Sequence, residues 1–129
     1  KTLQAIVCTE VLRKHFNIHT ALIICPTSLK YQWKTEIEKF TGNKNVCVVE
    51  GNILARKKIY SNHTSDYLIV SYQMAANDFV YLNDMHADVL ILDEAQRIKN
   101  WKTKTSAAIK RIKTTYALVL TGTPVENKI

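Results

Sequence analysis

The sequence predicts an α/β fold in which a mainly parallel sheet is covered by helices on both faces. Three observations carry this. Five apolar runs, at 21–25, 46–49, 67–70, 89–92 and 116–120, are rich in β-branched residues and do not alternate with polar ones. Strands of that kind are buried on both faces, as in a parallel sheet under helices. The stretches between them show the 3.6-residue period of amphipathic helices. The two kinds of segment alternate along the chain, which is the pattern of a doubly wound layer.

Taken in order, Leu3, Ile6, Val7, Val11 and Leu12 recur at helical spacing. The run 21–25 follows, and Pro26, which lacks an N–H for a ladder, closes it. Thr27 or Ser28 then offers an N-cap for a helix over 29–40. Leu29, Trp33, Ile37 and Phe40 share one face of that helix, so Trp33 reads as core. Thr41-Gly42-Asn43 ends it. The strand at 46–49 leads to a helix over 53–61 and the strand at 67–70. A weaker helical region at 71–83 precedes the strand at 89–92. A basic helix near 103–112 and the run 116–120 complete the series. There is no internal repeat. With only 3 Gly and 2 Pro there is no flexible linker, so residues 1–129 are expected to form one compact domain.

Hydrophobic residues make up 47% and charged residues 22%, the balance of a globular domain with a buried core. No apolar run approaches the roughly 20 residues that cross a bilayer, and the N-terminus lacks the shape of a signal peptide. The chain opens without Met and stops in mid-flow at Asn127-Lys128-Ile129, so both ends are expected to be cuts through a larger protein. Cys8, Cys25 and Cys47 are odd in number and widely spaced, which suits neither a disulfide framework nor a zinc site. A reducing, intracellular setting is expected: cytoplasmic or at the nucleoid in a bacterium, nuclear in a eukaryote. The four histidines show no metal-ligand spacing. Of the 18 Lys and Arg, seven lie between Arg97 and Lys113 with no acid among them; the rest only balance the 11 Asp and Glu. The whole excess of +7 therefore falls on one segment. It suits either a polyanion surface or a solvated helix face.

Ligands of open parallel sheets bind at the carboxyl ends of the strands. The polar segments at 26–28, 71–73, 93–96 and 121–124 are therefore expected along one edge. Asp93-Glu94, directly after an apolar strand, puts two acids where a charge is costly without a cation. A Mg²⁺ on a nucleotide meets that need, one acid holding the metal and the other activating water. The pair also suits the N-terminus of a following helix. Lys1-Thr2 before a helical pattern matches the last two letters of a phosphate-binding loop, or is simply polar. Thr121-Gly122-Thr123-Pro124 reads as a turn or as a close approach to phosphate. Thr27 and Ser28 sit where a helix N-terminus attracts anions.

Four segments in order carry a resemblance: 1–6, the stretch 25–36 containing Pro26-Thr27-Ser28 and Gln32-Trp33, the stretch 93–100 opening Asp93-Glu94-Ala95-Gln96, and 120–127. They resemble motifs I, Ia, II and III of the SWI/SNF-type DNA translocases of helicase superfamily two. The resemblance implies the first RecA-like (P-loop NTPase) lobe of a motor driven by ATP and Mg²⁺ along double-stranded DNA, a second RecA-like lobe lying elsewhere. It implies that Lys1 contacts the β- and γ-phosphates, Thr2 and Asp93 hold Mg²⁺, Glu94 activates water, and Gln96 couples the nucleotide to the 121–123 loop. The family often has His at the position of Gln96; Gln can still donate and accept. Thr27, Ser28, Lys99, Thr121, Gly122 and Thr123 are the expected DNA contacts, with Arg97, Lys102 and Lys104 as further candidates, and the substrate moved is expected to be a protein on DNA. Two other motor readings stand beside this: a helicase that unwinds RNA or DNA, and a restriction-type motor subunit. A non-catalytic nucleic-acid-binding scaffold lobe is the reading of another class.

Overall fold

The computed structural model describes residues 1–42, 44–62, 64–97 and 104–121. Six helices, α1 (Thr2–Phe16), α2 (Lys30–Thr41), α3 (Ile53–Ser61), α4 (Tyr72–Asn77), α5 (Phe79–Asp84) and α6 (Lys104–Lys110), alternate with five strands. The strands are β1 (Ala21–Cys25), β2 (Val46–Val48), β3 (Tyr67–Ser71), β4 (Val89–Leu92) and β5 (Tyr116–Val119). They form one sheet in the order β2-β3-β1-β4-β5, and every pairing is parallel. Ala21 stands in register with both Tyr67 and Val89, and Val89 with Tyr116.

The period of two along each strand divides the apolar residues between two cores. Leu22, Ile24, Leu68, Val70, Leu90 and Leu92 face one side, against Tyr60 of α3, Ala75 of α4, Leu82 of α5 and Ile109 of α6. Ala21, Ile23, Tyr67, Ile69, Val89 and Ile91 face the other, against Ile6 of α1 and Trp33 and Ile37 of α2. β1, β3 and β4 are buried throughout, which is why their sequences do not alternate with polar residues. Each fully buried aliphatic side chain contributes about 1.5–3 kcal/mol. The result is the three-layer arrangement that the sequence predicts.

Local differences have physical causes. The weak helical region breaks into α4 and α5 at Asp78, whose φ of −105° and ψ of 16° leave the helical region. Its carboxylate, 1% exposed, is drawn into α3, where Arg56 and Tyr60 donate to it. Neither Thr27 nor Ser28 caps α2. A 3-10 turn over Thr27–Leu29 leads in, the Leu29 N–H bonds the Pro26 carbonyl at 2.9 Å, and α2 starts without a side-chain cap. Both hydroxyl residues are exposed. Gly42, at φ 88°, closes α2 as expected. Among the described residues no helix is long and apolar enough to cross a membrane, and all three cysteines are free.

Candidate nucleotide and metal site

Parallel strands bring their carboxyl ends to one edge. Thr27 and Ser28 lie beyond β1, Ser71 ends β3 with Tyr72 after it, Asp93 and Glu94 follow β4, and Thr121 stands just past β5. The start of α1 reaches the same edge. The Lys1 Nζ donates to the Thr121 carbonyl at 2.6 Å and lies 3.8 Å from a Glu94 carboxylate oxygen. Thr2 and Asp93, with Leu29, Gln32 and Trp33, line one cavity of about 20 Å³. Residues some ninety positions apart thus converge.

Asp93 is 4% exposed and is held from three sides. Its N–H donates to the Ile24 carbonyl at 2.9 Å, tying it to β1. The Tyr72 hydroxyl donates to its carbonyl at 2.7 Å. The Trp33 indole N–H donates to its Oδ2 at 2.8 Å. Glu94 takes a left-handed conformation, φ 56°, which is rare outside Gly and costs about 1–3 kcal/mol. The chain turns sharply there, and the Ala95 N–H returns to the Leu120 carbonyl at 3.0 Å. The Glu94 carboxylate faces Lys1 with one oxygen and accepts from the Gln96 amide at 2.6 Å with the other.

The neighbouring thiol and hydroxyl stay protonated. Burial first, and the Asp93 charge second, push the Cys25 thiol up to about 12, against a smaller pull from Lys30. Burial, then the charges of Asp93, Cys25 and Glu94, raise the Tyr72 hydroxyl above its ordinary range. Tyr72 therefore remains a donor.

The cavity is about the size of one bound water or ion. A threonine hydroxyl and a carboxylate are hard oxygen donors of the kind Mg²⁺ takes. Among the described residues no group of three or more His, Cys, Asp or Glu could hold a metal by itself.

The structure brings Lys1, Thr2, Asp93, Glu94, Gln96 and Thr121 together, with Thr27 and Ser28 exposed along the same edge. Lys99, Gly122 and Thr123 lie outside the described residues, as does Lys102. Sequence reasoning gave no role to Trp33 beyond the core, or to Tyr72. Both are amphipathic side chains whose polar ends must find partners when buried, and that requirement was the available signal.

Comparison with known proteins extends these findings. The profile described as the SNF2-related domain matches residues 1–129. A protein of Mycoplasma pneumoniae called an uncharacterized ATP-dependent helicase is 36% identical over 131 residues, covering 100% of this chain and 13% of its own length. The TATA-binding protein-associated factor MOT1 of Saccharomyces cerevisiae is 34% identical over 110 residues, covering 84% of this chain and 6% of its own. Among solved structures, the Sulfolobus solfataricus SWI2/SNF2 ATPase core in complex with dsDNA superposes with a TM-score of 0.86 at 34% identity. That match covers 99% of this chain and 26% of the other. The chain thus spans a small part of the relatives it matches, and the RecA-like architecture of the described residues is shared with that core.

Proposed function

The chain belongs to the SNF2-related domain family, and from that premise we propose that it is the first, ATP-binding lobe of a motor that moves along double-stranded DNA. Membership makes it part of a helicase-superfamily ATPase. The polymer, the partners and the residue roles go beyond membership. The observation that supports them best is the convergence of Lys1, Thr2, Asp93 and Glu94 at one sheet edge.

In this reading ATP is the substrate and Lys1 neutralises its β- and γ-phosphates. Thr2 and Asp93 hold Mg²⁺, which screens the phosphate charge when bound. Glu94 orients the attacking water and takes its proton. Gln96, bonded to Glu94, passes the state of the site toward the 121–123 loop. Thr27, Ser28, Lys99, Thr121, Gly122 and Thr123 are assigned the contacts to the DNA backbone. Phosphate contacts carry no sequence information, so binding is indifferent to sequence and sensitive to salt. The superposition on an ATPase core solved with dsDNA supports duplex DNA as the polymer. The setting is intracellular, with a second RecA-like lobe in the same full-length chain and a DNA-bound protein as the object moved.

Two measurements test this. In the full-length protein, duplex DNA is expected to stimulate ATP hydrolysis more than single-stranded DNA or RNA; preference for RNA would overturn the DNA motor in favour of an RNA helicase. The 129 residues alone are expected to turn over ATP negligibly. An arginine finger, here assigned to the second lobe, is worth about 10³–10⁵ in rate in related phosphoryl transfer. Robust turnover by the isolated chain would remove the need for that lobe.

A further inference from the structure

We propose that Trp33 is a positioning residue for the metal-holding carboxylate, its indole N–H fixing Asp93 in the orientation that leaves one oxygen for the cation. The inference rests on the assignment of Asp93 to Mg²⁺ made above. The Trp33 N–H lies 2.8 Å from Asp93 Oδ2. Both side chains are out of solvent, Trp33 at 1% and Asp93 at 4% exposure, so water does not compete for the bond. Among the described residues no other side chain bonds this carboxylate.

The main chain of Asp93 is already fixed by Ile24 and Tyr72, but those bonds leave the carboxylate free to rotate. The indole removes that freedom. It is a donor only, so it can engage the carboxylate oxygen in one sense and never trade roles with it. Its ring is packed in the core with Ile37, Ile23 and Ile91, which holds the N–H in place. With Oδ2 occupied, Oδ1 is the oxygen left for an ion in the cavity that Thr2, Asp93 and Trp33 line together. Outer-shell donors of this kind set ligand orientation, and losing one costs about 10–100-fold in metal affinity.

The test separates the N–H from the ring. In the full-length protein, Trp33 is replaced by 3-benzothienylalanine, which keeps the bicyclic shape and has sulfur in place of N–H; Trp33→Phe and Asp93→Asn are made alongside. Mn²⁺ binding is followed by electron paramagnetic resonance with a non-hydrolysable ATP analogue present, and metal-free nucleotide affinity and the melting temperature are measured for each. The benzothienyl protein is expected to melt like the parent, to keep its metal-free nucleotide affinity and to bind Mn²⁺ about tenfold or more weakly. Parental Mn²⁺ affinity in that protein, with Asp93→Asn weakened, would overturn the positioning role alone and leave Trp33 as a packing residue. Parental Mn²⁺ affinity in Asp93→Asn would overturn the metal assignment itself, and this inference with it.

Discussion

Glu94→Gln in the full-length protein is expected to lower kcat for ATP hydrolysis by about 10²–10⁴-fold, the range general-base catalysis contributes, while ATP still binds. The substitution removes the proton acceptor and keeps the side chain's size. The amide has the carboxylate's shape, so the turn at φ 56° need not change. Its oxygen can still accept from the Gln96 amide. The ion pair with Lys1 disappears, but it spans 3.8 Å and 42% of the lysine side chain is exposed. A pair so exposed is worth little in water, and Lys1 keeps its bond to Thr121. Equilibrium binding of a fluorescent ATP analogue beside single-turnover hydrolysis separates the two effects. Hydrolysis at the parental rate would remove Glu94 from the catalytic role.

The layers were legible because burial leaves a mark on composition. A strand covered on both faces cannot alternate with polar residues, and β1, β3 and β4 show this along their whole length. Parallel pairing followed from the helices between strands, and it places the chemistry at one edge without further information. The approach of Lys1 and Thr2 to that edge was instead expected from their match to the end of a phosphate-binding loop and from the charge of Asp93 and Glu94, and the structure brings the four residues together. Less legible was whatever depends on a single hydrogen bond. Thr27 and Ser28 have the chemistry of caps, yet the backbone of a 3-10 turn takes over that task and leaves their hydroxyls at the surface. Trp33 reads as core from its helical face, and its N–H partner lies just past β4, 60 residues away. Asp78 lies inside the region at 71–83 that reads only as a weak helix, and only the packed fold brings Arg56 and Tyr60 to it.

That last site carries the second large effect. Asp78→Ala is expected to destabilise the folded chain by about 3 kcal/mol, the lower end of the cost of breaking a buried ion pair. The carboxylate, 1% exposed, accepts from Arg56 at 2.7 and 3.0 Å and from Tyr60 at 2.6 Å. Removing it strands a guanidinium and a hydroxyl that were desolvated in order to meet it. The lower end applies because the Arg56 side chain is 15% exposed and keeps its bond to the Gly51 carbonyl at 2.8 Å, so water recovers part of the loss. Tyr60→Phe deletes only one donor and is expected to cost about 1 kcal/mol. Asp78→Asn, which still accepts at one oxygen, is expected to fall between the two. Urea unfolding at constant slope reads all three from their midpoints. The network ties α3 to the junction of α4 and α5, and none of its members bonds the residues around Asp93 and Glu94 in the described structure. ATP turnover per folded molecule should therefore stay at the parental level in each variant. An Asp78→Ala protein no less stable than Tyr60→Phe would show that the carboxylate's attraction for Arg56 merely offsets the cost of burying it.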